Sequence, residues 1–443
     1  MQRFAFEKML AWKNNPNKMP LLIDGVRQVG KTWLMKEFGR TQYERVVYIN
    51  FDIDPETKTF FENNLKPENI IRSLEYKVGF KIEPEKTLII FDEIQECNRA
   101  LVSLKYFCED APQHNIVSAG SLLGVAIHKG DSFPVGKVDR LELFPMNFAE
   151  FLLALGETRY QQIVQDKAFE QFAVIDKDLV ALLKQYYFIG GLPHAVKIFI
   201  ETKDYEKVRQ VQRTILRDYE SDFSKHIDTS SIPKVGMVWN SLPLQLAKEN
   251  KQFVYRDMKH GARAKEFESA LYWLTKVGLI YKISRVESPS LPLESYAKEQ
   301  FKLYMVDVGL LSAKSGLSLQ TLAEPDPSVF NQFKGALTEQ FVLQELKSLP
   351  LNTDIFYWAN DKSKGVAEVD FLFQHNKEVI PLEVKAERNL QSKSLQAYIK
   401  YFAPEHAMRS SLGRYGKHGN IWDIPLYLIG SFKEIINEFS LKQ

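Results

Sequence analysis

Cysteine is nearly absent: Cys97 and Cys108 are the only two in 443 residues. Two thiols cannot staple a chain of this length, so a disulfide framework is excluded and a reducing cytosol is expected. Neither sign of charge dominates, since 58 Lys and Arg stand against 56 Asp and Glu for a net charge of +2. That balance excludes a global attraction to nucleic acid or membrane, and any basic surface must be local. No apolar run approaches the roughly 20 residues a membrane helix needs. The opening MQRFAFEKML is charged and short in its apolar run, unlike a secretory signal. The expectation is a soluble, cytoplasmic protein without a membrane partner. Internal repeats and low-complexity tracts are also missing, so domain boundaries must come from changes in pattern. The length predicts two to four domains.

Residues 1–150 alternate short apolar runs with amphipathic stretches. The runs Leu21–Asp24, Val46–Phe51, Thr87–Asp92 and Asn115–Ala119 read as strands buried on both faces, the signature of a parallel α/β sheet. From residue 151 to 228 the period becomes helical, broken once at Gly190-Gly191-Leu192-Pro193. Residues 229–323 read as three helices followed by the strands LIYKIS and FKLYMVD, the order of a winged helix with SPSLPLES as wing or neighbouring loop. Residues 324–443 read as a small α/β domain: the helix GALTEQFVLQELKSL, strands FYWA, EVDFLFQ and VIPLEVKA, a further helix and a late strand.

Gly25-Val26-Arg27-Gln28-Val29-Gly30-Lys31-Thr32 fits G-x-x-x-x-G-K-[ST], between the apolar strand PLLID and an amphipathic helix opening at Trp33. Gly25 and Gly30 permit the tight turn that aims backbone N–H groups inward. Those donors and the positive end of the helix form an anion cradle for the phosphates of a nucleotide. Lys31 is placed to reach the β and γ phosphates, and the Thr32 hydroxyl to coordinate Mg²⁺. The run Thr87-Leu88-Ile89-Ile90-Phe91-Asp92-Glu93 adds a buried strand with two acids at its carboxyl end, where ligands of α/β sheets bind. Asp92 is expected to hold Mg²⁺ through its water shell and Glu93 to polarise the attacking water. The cofactors expected are therefore ATP and Mg²⁺. After the next strand, Ser118 or Ser121 could sense the γ phosphate or cap the following helix, and both readings stay open. Arg27, Arg99 and Arg140 are the arginines near enough in sequence to act as a finger, and none stands out.

The C-terminal hairpin carries a second constellation. With Glu368–Phe373 paired to Ile380–Lys385 about a turn centred near His375, strand alternation predicts an apolar face of Val369, Phe371, Phe373, Ile380, Leu382 and Val384. Glu368, Asp370, Glu383 and Lys385 gather on the other face. Two acids and a lysine suit Mg²⁺-assisted phosphodiester hydrolysis, with Glu339 on the preceding helix as a third carboxylate. A solvated outer face with cross-strand ion pairs is the competing reading.

Taken together, GVRQVGKT, LIIFDEIQE, SAGSLL, PVGKVDRLELFPMNFAEFL, YFIGGLPHAV, ILRDYESDF, KGALTEQFVLQEL, AEVDFLF and IPLEVKA resemble the prokaryotic AAA-type ATPases that carry a C-terminal DUF4143 domain. The resemblance covers essentially the whole chain. It implies an α/β architecture: a P-loop NTPase sheet, a helical lid, a winged-helix segment and a C-terminal module similar to the PD-(D/E)xK restriction-nuclease fold. Glu339, Asp370, Glu383 and Lys385 match that nuclease signature position by position. The group often has Gly-Arg where this chain has Gly136-Lys137, and lysine is the poorer bidentate partner for phosphate.

Two functional expectations follow. In the first, ATP drives a DNA-directed module, with Lys251, Arg256, Lys259, His260, Arg263 and Lys265 around a recognition helix (Ala264–Val277) contacting duplex phosphates. In the second, nucleotide state switches the chain between conformations that engage a protein partner. Self-association is expected under either, because a neighbouring copy can complete an AAA-type site.

Overall fold

The computed structural model describes residues 1–443 apart from 63, 121–133, 249–250, 319–330, 352, 361–366, 389–390, 433 and 436–443. The chain forms two units, residues 1–144 with 276–278, and residues 145–275 with 279–443.

The first unit is built on a five-stranded, all-parallel sheet of β1 (Leu21–Asp24), β2 (Arg45–Asn50), β3 (Thr87–Asp92), β4 (Asn115–Ala119) and β5 (Asp139–Glu142), in the order β2-β3-β4-β1-β5. Every residue of β1, β3 and β4 is buried, so the continuous apolar runs cover a strand on both faces. Helices α1 (Ala5–Asn14), α2 (Lys31–Gln42), α3 (Pro67–Val78) and α4 (Asn98–Asp110) accompany the sheet. One core joins Val47 and Ile49 of β2, Ile89 and Phe91 of β3 and Ile116 of β4 to Ile70, Leu74, Leu101, Leu104 and Phe107 of α3 and α4.

The second unit begins with helices α5 (Phe148–Ala154), α6 (Arg159–Gln165), α7 (Phe172–Ile189), α8 (Pro193–Thr202), α9 (Tyr205–His226), α10 (Ile232–Leu246) and α11 (Ala264–Lys276, its last residue placed with the first unit). An eight-stranded mixed sheet follows, in the order β12-β13-β11-β10-β9-β8-β6-β7, from β6 (Ile280–Val286), β7 (Ala297–Met305), β8 (Ile355–Ala359), β9 (Glu368–His375), β10 (Glu378–Val384), β11 (Ala407–Ser411), β12 (Gly416–His418) and β13 (Ile421–Pro425). Helices α12 (Val308–Lys314), α13 (Asn331–Ser348) and α14 (Lys393–Phe402) complete it.

Here the structure departs from the sequence reading. The strands expected to belong to a winged helix, β6 and β7, do pair antiparallel, but β6 also pairs in parallel with β8 through Arg285–Tyr357 and Val286–Trp358. They form one end of the C-terminal sheet. Sequence pattern carries no signal for a pairing between strands some seventy residues apart. The hairpin turn also sits on Asn376-Lys377, with Asn376 at φ 51° and His375 opposite Glu378, rather than being centred on His375. The expected face assignment survives, since Phe371 lies opposite Leu382 and Phe373 opposite Ile380.

Helix α13 is buried over residues 336–346 and spends its polar side chains on backbone that the other elements leave unpaired. Gln340 both accepts from Met305 N (2.8 Å) and donates to Met305 O (2.6 Å), closing the end of β7. Gln344 accepts from Val308 N and donates to the Tyr186 hydroxyl, both at 2.8 Å. Asp307, pushed up to about 6 by burial, accepts from Gly191 N (2.7 Å) and caps α12 at Leu310 N (2.9 Å). Met146 N donates to Gly191 O at 2.7 Å. The Gly-Gly break seen in the sequence is thus the point where three backbone segments meet.

Candidate functional site

Gly25 follows β1 directly, and a side chain there would place Cβ 2.5 Å from Leu143 O. Gln28 (φ 64°) and Gly30 (φ 98°) take left-handed conformations that turn the loop back before α2 begins at Lys31. Lys31 Nζ lies under this loop and donates to Gly25 O (2.8 Å) and Val26 O (3.0 Å). Burial lowers its pKa to about 8, against the pull of Glu93, Asp92 and Asp24 toward the charged form. Trp33, one turn into the helix, is exposed.

The acidic strand meets the loop through side chains. Thr32 Oγ1 donates to Asp92 Oδ2 at 2.8 Å, and the Tyr48 hydroxyl donates to the same oxygen at 2.8 Å. Glu93 N donates to Asp92 Oδ1 at 3.1 Å. Glu93 itself has φ 50°, a strained conformation for a non-glycine residue, and its Oε2 accepts from Gln95 Nε2 at 2.5 Å. Thr32, Asp92 and Glu93 are therefore brought together.

Other expectations meet different outcomes. The Ser118 hydroxyl is buried and donates to Leu21 O at 3.1 Å, so it is spent inside the sheet rather than turned to a phosphate. Ser121 lies outside the described residues. Arg99 Nε donates to Phe61 O (2.6 Å), and Arg140 pairs with Asp24 Oδ2 (3.0 Å). Lys137 pairs with Glu109 at 2.9 Å.

Two participants lie beyond the motifs. Tyr48 reaches Asp92 from the neighbouring strand, and burial with its bond to Asp92 raises its pKa to about 12. Arg3, buried ahead of α1, donates to Val29 O (2.9 Å) inside the loop and to Phe144 O (2.6 Å). Tyr48 was readable only once the β2–β3 register was known, and Arg3 carries no sequence signal at all.

In the second unit the structure brings Glu339, Asp370, Glu383 and Lys385 together, burying the three acids and leaving Lys385 half-buried. Asp370 Oδ2 accepts from Val384 N (2.8 Å), and Lys385 pairs with Glu383 Oε1 (2.6 Å). Glu339 accepts from the Tyr304 hydroxyl (3.0 Å) and from Lys251. Burial drives Asp370 well above the usual carboxylate range, with Glu339 and Glu383 adding to it, and burial also raises Glu383. Burial works against Glu339 too, but Lys251 and Lys302 outweigh it and hold that group down to about 2. The competing reading, a solvated outer face, does not describe Asp370 and Glu383, which are buried, while Glu368 and Lys385 are half-buried at its margin. Lys251, assigned to a DNA-facing patch, is instead half-buried and paired with Glu339.

A GKT loop on a five-stranded parallel sheet, with the acidic strand separated from the loop strand by β4, defines a P-loop NTPase fold. Family models match an AAA domain over residues 17–152, a domain of unknown function (DUF8612) over 180–321 and DUF4143 over 334–428. The chain thus carries an AAA domain and, C-terminal to it, a DUF4143 domain. No curated protein matches it significantly. Similar solved structures include the Walker-type ATPase PABY2304 of Pyrococcus abyssi, with TM-score 0.44 and 13% identity over 71% of this chain and 95% of that one. AMPPCP-bound DnaA from Aquifex aeolicus has TM-score 0.29 and 15% identity over 62% and 87%. The RuvB Holliday junction branch migration motor of Thermotoga maritima has TM-score 0.29 and 12% identity over 63% and 89%. At TM-scores this low, these likenesses assign no role to any residue.

Proposed function

We propose that this chain binds ATP with Mg²⁺ and hydrolyses it. The contact of Thr32 Oγ1 with Asp92 Oδ2 at 2.8 Å carries the reading, because it sets a loop hydroxyl against an acidic-strand carboxylate at the mouth of an anion cradle. A hard, oxygen-seeking cation fits that donor pair, and Thr32 and Asp92 are the residues that would hold it. When bound, Mg²⁺ would neutralise charge on the transferred phosphoryl group. The chain's own residues supply the rest. The backbone N–H groups of residues 26–32 bind the phosphates, and Lys31 exchanges its loop carbonyls for phosphate oxygens. Glu93, one residue beyond Asp92, orients and deprotonates the attacking water. Arg99 and Arg140 are both engaged within the first unit, so self-association supplying a cation from a second copy belongs to this reading.

Mg²⁺-dependent ATP turnover by the wild type, Lys31→Ala and Glu93→Gln tests it, with protein concentration varied. Turnover lost in both variants and rising per chain with concentration is expected. Equal turnover in all three would overturn it.

A second reading adds duplex DNA as a partner. Arg256, Lys259, His260, Arg263 and Lys265 are all exposed just before and at the start of α11, with Tyr272 exposed on the same helix. Phosphate contacts there would give nucleotide-dependent binding that weakens steeply with salt. Binding of DNA that ignores salt and nucleotide would leave a protein partner as the target of the switch.

A further inference from the structure

The C-terminal cluster holds more cations than its motif announces. Glu339, Glu368, Asp370 and Glu383 supply four carboxylates, and Lys251, Lys302 and Lys385 supply three ammonium groups, all within the second unit. Lys302, on β7, is the centre of the arrangement. It is wholly buried, with Nζ 2.5 Å from Glu368 Oε1, 3.8 Å from Glu339 Oε2 and 3.9 Å from Asp370 Oδ1. Its neighbours divide the remaining oxygens: Lys251 takes the other oxygen of Glu339, and Lys385 pairs with Glu383. The aromatic ring of Tyr357 closes over the Lys302 ammonium at 4.9 Å.

The nuclease-like resemblance implies Mg²⁺ at these carboxylates, and the residues present do not fit it. Magnesium demands near-octahedral oxygen coordination at about 2.1 Å and keeps several of its waters. Here a fixed ammonium within 4 Å of three carboxylates repels a dication and fills the space its waters need. Glu383 Oε2 is left without a hydrogen bond, but one orphan oxygen is not a coordination shell. Among the described residues, the group of three metal-type side chains with ligand atoms within 4.8 Å of one another is Glu378, Glu405 and His406, at the other end of β10. There, too, His406 N and Nδ1 already engage both oxygens of Glu378, at 2.6 and 2.9 Å.

We infer that Lys302 is the resident cation of this cluster, standing in for a divalent metal, and that the C-terminal module is a charge-neutralised binding or positioning domain that does not cut nucleic acid. A buried lysine supplied by β7 does what an ion would do for the fold, holding β9 and α13 together through their acids. It offers no exchangeable water to activate, so hydrolysis has no nucleophile at this point.

The test is a Mn²⁺ titration of the nucleotide-free, full-length chain followed by electron paramagnetic resonance, comparing wild type with Asp370→Asn, Lys302→Met and the double variant. Wild type and Asp370→Asn should bind Mn²⁺ indistinguishably, and neither should nick plasmid DNA in Mg²⁺. Lys302→Met, with the cation deleted and the acids kept, should gain a Mn²⁺ site at least tenfold tighter, which the double variant loses. A wild-type site or a Mg²⁺-dependent nick that Asp370→Asn removes would overturn the inference, as would a folded Lys302→Met without a new site. If Lys302→Met fails to fold, the comparison of wild type with Asp370→Asn decides alone. None of these outcomes depends on whether the P-loop hydrolyses ATP.

Discussion

Arg3 holds the carbonyl of Val29 from outside the phosphate-binding motif. Arg3 is 5% exposed, and its guanidinium donates to Val29 O at 2.9 Å and to Phe144 O at 2.6 Å, tying the loop to the chain that leaves β5. That bond holds the carbonyl just before Gly30 and Lys31 in place, and with it the conformation of the loop that offers N–H groups to phosphate. Charged hydrogen bonds of this kind are each worth about 1.5–3 kcal/mol. Arg3→Ala should therefore weaken ATP binding by about tenfold or more and lower the melting temperature. Arg3→Lys, which keeps the charge but not the fork, should fall between. Titration with a fluorescent ATP analogue reads the affinity, and an unchanged dissociation constant in Arg3→Ala would show the contact to be incidental.

At the acidic strand, binding and turnover should separate. Glu93→Gln removes the base and leaves Thr32, Asp92 and Lys31 in place, so turnover should fall by about 100-fold to 10,000-fold with affinity nearly unchanged. Tyr48→Phe removes one of the two hydroxyls that donate to Asp92 Oδ2, and should cost affinity for Mg²⁺-ATP more than it costs turnover, by a few-fold. Steady-state kinetics with parallel binding titrations distinguishes them. Glu93→Gln that still turns over at half the normal rate would remove the base from Glu93.

How far these sites could be read in advance depended on whether their signal was local. The strands Leu21–Asp24 and Thr87–Asp92 coincide with their apolar runs because a strand buried on both faces has no polar positions to blur its ends. The contact of Thr32 with Asp92 was implied by motif spacing in the same way. Lys302 was not legible. FKLYMVD presents it as an ordinary polar position, and only the pairing of β6 with β8, which carries β7 along, encloses it beside Glu368 and Asp370. Lys251 misled for the same reason: sequence groups it with cations from Arg256 onward that are exposed, while its neighbour in space is Glu339.

The Gly190-Gly191 junction gives a sharp stability prediction. A methyl group on Gly191 would lie 2.1 Å from Met146 O, a backbone atom that the Met146 N to Gly191 O bond keeps in place. Nothing can yield cheaply there, so Gly191→Ala should cost several kcal/mol, in the range of severe overpacking. Gly136 also has a positive φ (69°), but a methyl group there meets nothing within 4 Å. Gly136→Ala should cost only about 1 kcal/mol of backbone strain. Melting temperatures of the two variants, read against wild type, check the contrast, and equal losses would refute it.

Glu345 makes the stability of the second unit pH-dependent. Its side chain is fully buried on α13, with Oε1 accepting from Phe148 N at 2.8 Å and Oε2 unpartnered. Burial pushes its carboxyl up to about 8 from an ordinary 4.5, and the nearby Glu150 carboxylate adds to the rise. The group is therefore neutral in the folded chain at pH 6 and ionised in the unfolded chain. Its favourable contribution is complete below pH 4.5 and is lost progressively as pH rises toward 8, because the unfolded state releases a proton that the folded state keeps. Glu345→Gln keeps the bond to Phe148 N and removes the titration. Asp307, also raised by burial, titrates in both proteins and cancels from the comparison. Relative to wild type, the variant should gain stability steadily between pH 5 and pH 8, by a few kcal/mol at most. Urea unfolding of both proteins across that range measures it, and a constant difference would place the Glu345 carboxyl in its ordinary range.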